Sequence, residues 1–162
     1  MKPKREAVAI VVAFATDPDP GVRLASLSAL ASAETDAPGP WHGAGGPDAI
    51  DRVIINGLST DVWPEVRRRA ANALGVRCQR TGPARALADA VAKDPAFEVR
   101  AASLTGLVQC KAAGIRELLP RTWDDGKAPI ELRTLAVSLV VVLEDPQLAA
   151  TLVGKFGRWR SE

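Results

Sequence analysis

The dipeptide Val-Arg stands at Val22-Arg23, Val66-Arg67 and Val99-Arg100, and returns as Leu132-Arg133, with spacings of 44, 33 and 33 residues. No other feature constrains the fold as strongly. A unit of roughly 30 to 45 residues cannot bury its own apolar face and must stack on copies of itself. Downstream of each Val or Leu, small or apolar residues fall at +4, +7 and +8: Ser26, Ala29 and Leu30; Ala70, Ala73 and Leu74; Ser103, Gly106 and Leu107; Ala136, Leu139 and Val140. That spacing marks one face of an α-helix.

In three of the four copies an Asp lies six residues before the Arg, as Asp17, Asp61 and Asp94; the fourth has Lys127 there, with Asp125 two residues earlier. Pro18, Pro20, Pro64 and Pro95 stand at or near the start of the helix that follows, where a missing N–H costs nothing. Upstream of each Asp a second apolar segment aligns without gaps, 7–10 on 51–54 and on 84–87, and Phe14, Leu58 and Val91 coincide. The unit is therefore helix, Asp/Pro turn, helix, with Asp17, Asp61 and Asp94 expected to cap the second helix. The pattern predicts an all-α chain of helices at 5–16, 20–32, 48–59, 64–77, 82–92, 96–110, 112–123, 129–143 and 146–159. They form one domain over 1–162, with units at about 5–32, 48–77, 82–110 and 112–143 and a final helix.

These residues resemble HEAT repeats, in particular the short bacterial class named after phycobilisome lyases, which reads Asp-Pro-x-x-x-Val-Arg-x-x-Ala-x-x-Ala-Leu-Gly. Residues 61–75 are the closest copy, and the resemblance extends over almost the whole chain. It implies a right-handed α-solenoid of about four helix-pair repeats. Proteins of that class serve as scaffolds, adaptors, lyase subunits and chaperones, so the resemblance implies a binding surface rather than a reaction.

Composition narrows the partners. Lys plus Arg exceed Asp plus Glu by only 21 to 19, so the field of the whole molecule is too weak to attract a polyanion, and nucleic acid is disfavoured. No run approaches the ~20 apolar residues of a membrane span. The basic start 1–5 and apolar run 7–15 have the outline of a short signal peptide. Glu6 and the alignment with internal helices favour a repeat helix instead. Cys78 and Cys110 fall near the ends of equivalent helices in adjacent units, ~10 Å apart in an ordinary stack and too far for a bond. They are read as free, buried thiols in a reducing, cytoplasmic setting.

The sequence contains no phosphate-cradling loop, paired metal-ligand motif or nucleophile elbow. Its only His, His42, has no carboxylate nearer in sequence than Glu34 or Asp48. No catalytic, cofactor or metal site is expected. The function that remains is a non-catalytic protein-interaction module, a scaffold or adaptor whose partner is another protein. Candidate contacts are Trp41 and His42, in the Pro/Gly-rich loop between the second and third helices, and Trp63 with Arg68 and Arg69 of the basic run. Val8, Val11 and Val12 of the first helix have no preceding helix to cover them and are expected to join a partner or a second copy of the chain. The bland reading of the basic run is a solvated face. Arg23, Arg67, Arg100 and Arg133 are read as a ladder to the turn aspartates, and Trp123 and Trp159 as cover for the last repeat. Two alternatives stand beside this reading: a nucleic-acid-binding protein similar to the HEAT-like alkylpurine DNA glycosylases, and a bilin lyase-like subunit.

Overall fold

The computed structural model describes residues 5–33 and 47–156. Among the described residues it contains nine α-helices and no strand: α1 (Arg5–Phe14), α2 (Pro20–Ala31), α3 (Pro47–Thr60), α4 (Pro64–Gly75), α5 (Thr81–Lys93), α6 (Phe97–Gln109), α7 (Ile115–Asp124), α8 (Ile130–Leu143) and α9 (Pro146–Phe156). Neighbours in sequence pack as hairpins, α1 on α2, α3 on α4, α5 on α6 and α7 on α8, with α9 against α8. The second helices also pack in series, α2 on α4, α4 on α6 and α6 on α8, while the first helices pack α1 on α3 and α3 on α5. That second series stops at α5.

In the last three copies the positions that define the repeat form the core, whereas in the first Ser26 and Leu30 are buried but Val22 is half-buried and Ala29 exposed. Val66, Val99 and Leu132 are fully buried, as are Ala70, Ser103 and Ala136 four residues on, and Leu74, Leu107 and Val140 are buried a turn later. Ile54 and Leu87 fill the space from the first helices. Each such Leu or Ile contributes about 1.5 to 3 kcal/mol on leaving water.

The turn aspartates do not cap the helices as expected. Asp17, Asp61 and Asp94 instead accept the N–H two residues on, from Asp19 (2.8 Å), Trp63 (3.0 Å) and Ala96 (2.9 Å). They close side-chain turns upstream of the helix. Asp19 is the residue that caps α2, accepting from Gly21 and Val22 N–H, whereas Trp63 and Ala96 occupy the cap positions of α4 and α6 without a side-chain bond.

The turn carboxylates also receive the arginine of the preceding unit. Arg23 donates from Nε and Nη2 to Asp61 (2.6 and 3.0 Å), and Arg67 donates likewise to Asp94 (2.8 and 3.0 Å). The third nitrogen of each binds carbonyl oxygens of its own turn, at Asp17 and Pro18 or at Asp61 and Val62. One planar guanidinium thus ties two successive turns. In the fourth unit Asp125 closes the corresponding turn, accepting the Lys127 N–H (2.9 Å), but Arg100 is not bonded to it; Arg100 donates to the Val91 carbonyl (2.7 Å), and Arg133 donates to that of Trp123 (3.0 Å). The ladder therefore has two rungs, not a full set.

Burial alone would raise the Asp61 carboxyl, but the bonds from Arg23 and Trp63 N–H and the field of Arg67 hold it below the usual carboxylate range. A depressed native value adds stability above the unfolded carboxylate range, and that stability is lost as the pH falls through the native value.

The first helix departs from expectation. Val8 is only 7 % exposed, and Val11 and Val12 are half-buried against the core, because α2 and the following first helix α3 cover them. Ser26 Oγ donates to the Val11 carbonyl (2.5 Å), fixing α1 on α2. What α1 exposes is Ile10 (57 %) and Phe14 (49 %). The helix expected from 112 begins at Ile115, since Lys111 and Gly114 take positive φ (52° and 81°) and turn the chain sharply after α6.

Replacing Arg67 by Ala leaves the Asp94 carboxylate buried without its partner and should cost about 3 kcal/mol. Arg100→Ala removes a single bond to a carbonyl and should cost about 1 kcal/mol. Urea unfolding of the two variants checks this, and equal losses would count against the rung.

Candidate interaction surface

The second helices α4, α6 and α8 leave one side uncovered, and there an open groove of about 940 Å³ runs across all three. Its apolar floor consists of the half-buried Phe97, Ala102 and Leu135, with exposed Ile130 at one end. The polar lining repeats with the fold. Glu65, Glu98 and Glu131 each precede the Val or Leu of the repeat by one residue, and Asn72, Thr105 and Ser138 each follow it by six. Stacked equivalent positions become parallel rows, so the groove has an acidic row and a row of neutral hydrogen-bonding groups. At its α4 edge Arg68 donates to Glu65, three residues earlier on the same helix (3.0 and 2.5 Å), and that bond holds the Glu65 carboxyl below its usual range. Such a surface can pair with backbone amides and cover apolar side chains.

The candidates named from sequence are dispersed. Arg68 lies in the groove. Arg67 is consumed by Asp94, and Arg69 is half-buried with its Nε enclosed and unpaired, so the basic run is not one docking patch. Trp63 is 54 % exposed beside exposed Val62, in the turn that opens α4. Val8 and Val12 are covered, as described above. Trp41, His42 and Trp159 lie outside the described residues. Trp123 is buried, in keeping with its expected role as cover. The glutamate and Asn/Thr/Ser rows went unremarked in the sequence, although each was visible as a fixed offset from the repeat.

In the turn between α4 and α5, Arg77 and Arg80 converge on the buried carboxylate of Asp51 (2.6 and 2.5 Å), and Arg80 also pairs with Asp48. Beside them Cys78 is bonded to Cys110, with their Cα atoms 6.2 Å apart. This corrects the expectation of free thiols, and the argument for a reducing, cytoplasmic setting falls with it. The cause is a backbone contact between α4 and α6: a Cβ built on Gly75 or on Gly106 would stand 3.0 Å from the other residue's Cα. With no side chain between them, the helix ends approach more closely than the ~10 Å of an ordinary pair.

Among the described residues no three His, Cys, Asp or Glu side chains gather as metal ligands, and no helix is long and apolar enough to cross a membrane. No protein-family model matches the chain, and no curated protein resembles it significantly in sequence.

Two substitutions test this packing. Cys78→Ser opens a loop of 32 residues and should lower stability by about 3 to 4 kcal/mol, read from urea midpoints without reductant. The midpoint of wild-type protein should fall to match once reductant is added. Ser103 carries a fully buried Oγ with no partner, where the equivalent positions hold Ala70, Ala136 and Ser26, whose hydroxyl is bonded to Val11. Ser103→Ala should therefore raise stability by up to about 1 kcal/mol, and a loss larger than that would reveal a bond the geometry does not contain.

Proposed function

We propose that this chain is a HEAT-like repeat protein, a right-handed α-solenoid of about four helix pairs. It acts without catalysis as a protein-interaction module, a scaffold or adaptor that holds another protein along the uncovered side of its second helices. The observation that carries this reading is the groove across α4, α6 and α8, with its apolar floor and repeated polar rows. The side chains that line it stand on helices tied by the Arg67–Asp94 rung and the Cys78–Cys110 bond, so little ordering remains to be done on binding.

Glu65, Glu98 and Glu131 along the groove would repel a phosphate backbone, which weighs against the nucleic-acid alternative. Cys78 and Cys110 are bonded to each other, which leaves no described thiol to carry a bilin. A second copy of the chain would meet α1 through Ile10 and Phe14 rather than Val8 and Val12.

A photo-crosslinking residue placed at Thr105 or Ser138 of the full chain, in extract of its native cells, should give adducts with the same protein. The same residue at Asn56, exposed on α3, should not. Leu135→Glu should weaken the yield at both groove positions by about tenfold. Adducts to nucleic acid, or adducts only at Asn56, would contradict the reading.

A further inference from the structure

The first helices carry a second surface, which the repeat itself exposes. On α5, Thr81, Ala84, Arg85 and Ala88 form one stripe at helical spacing. Their equivalents in the preceding unit are Asp48, Asp51, Arg52 and Ile55 of α3. There the stripe is partly covered: Asp51 is buried and Ile55 half-buried, since Arg80 just before α5 pairs with Asp48 and Asp51 and Gly82 at the start of α5 lies over Ile55, while Asp48 and Arg52 stay exposed. On α5 no helix plays that part. The sharp turn at Lys111 and Gly114 leads α7 away from α5, and a cleft of about 830 Å³ opens between them.

The facing stripe on α7 is Gly114, Glu117, Leu118 and Arg121, again at helical spacing. Buried Leu107, Ala112 and Ile115 form the floor, and the disulfide at Cys78 closes one wall. The rim holds Arg80, Arg85, Lys111 and Arg121 against a single carboxylate, Glu117. Arg80 is satisfied by the α3 carboxylates, and Asp89, one turn beyond Arg85, is bonded to Lys93. Among the described residues Lys111 and Arg121 have no ion-pair partner, and Arg85 forms no ion pair.

We propose that the cleft between α5 and α7 docks an acidic amphipathic helix of a partner protein. Its apolar side packs on Ala84, Ala88 and Leu118, and its carboxylates meet Arg85, Lys111 and Arg121. Three features select this occupant. The counterpart of this stripe on α3 meets the start of the next first helix through Arg80 and Gly82, and on α5 that place is open. The alanines let a helix backbone approach closely. The rim has an excess of cations around an apolar floor, which suits carboxylates flanking apolar side chains better than a bare anion. The site is separate from the α4–α6–α8 groove and does not depend on it, although both belong to the same interaction reading.

The test is selection of a phage-displayed library of random peptides of about 16 residues, some four helical turns, on the full chain with its disulfide intact. Enriched peptides should carry Asp or Glu beside apolar residues at i, i+3 or i+4, and i+7. Binding of a synthesised member should fall about tenfold or more with Arg85→Glu combined with Arg121→Glu, and should weaken as salt rises. Lys111→Glu gives the same result by a third route, and Leu135→Glu in the other groove leaves it unchanged. Arg85, Lys111 and Arg121 are exposed, so circular dichroism and thermal midpoints should match the parent. Enriched peptides without acidic residues, binding that survives the double reversal, or no enrichment at all would overturn the proposal. Peptides lost only with Leu135→Glu would overturn it while leaving the interaction reading intact.

Discussion

A guanidinium shared between two consecutive turns is the contact on which the arrangement of the units depends. Apolar burial supplies most of the free energy, since each buried Leu or Ile is worth about 1.5 to 3 kcal/mol and the core contains many of them. Burial is non-directional, however, and Ala-rich faces can slide. Arg67 fixes the slide: it holds two carbonyl oxygens of its own turn and both oxygens of Asp94 in the next, a geometry that only one placement of the two units satisfies. At the fourth unit, where the turn carboxylate is shifted to Asp125, Arg100 bonds to the Val91 carbonyl instead. There the first-helix series ends, and a cleft stands where α7 would otherwise have followed α5. The missing rung and the open cleft belong to the same junction.

Most of the fold was legible because a period survives any uncertainty in single elements. The Val-Arg copies mark the core in the last three units, and the departure at Lys127 marks the unit at which the arginine ladder stops. The misreadings have specific causes. An Asp two residues before a cap looks like a cap in sequence, since both roles use the same side chain near the same turn. The disulfide was hidden because Gly75 and Gly106 stand at different offsets from their Val residues, +9 and +7, so their meeting is a property of the packed pair and not of either helix. Val8 has no helix before it in sequence, yet it is buried because α1 packs on the helices that follow, α2 and α3. The acidic row escaped notice because its glutamates adjoin the Val-Arg pairs that drew attention as structure.

The near-neutral total of +2 conceals two surfaces of opposite sign. Glutamates line the groove on the second helices, and arginines with a lysine rim the cleft on the first helices. The first follows from the repeat, since an offset that is polar in one unit recurs in the next and stacking turns the recurrence into a row; the second follows from its interruption, since Lys111 and Arg121 have Cys78 and Ala88 as their equivalents. Residues with strong local partners, such as Arg67, Arg77 and Arg80, are spent on structure, so a dense basic run in sequence was a poorer guide to the surface than the spacing of single charges.

The claim beneath all of this is that α2, α4, α6 and α8 form one open row, each touching only the next. Pulsed electron resonance between spin labels carried by non-natural residues at Ala25 on α2 and Ser138 on α8 measures it directly. Three steps of helix packing predict a separation of about 25 to 30 Å. A distribution centred below about 15 Å, as in a bundle whose first and last helices touch, would contradict the account.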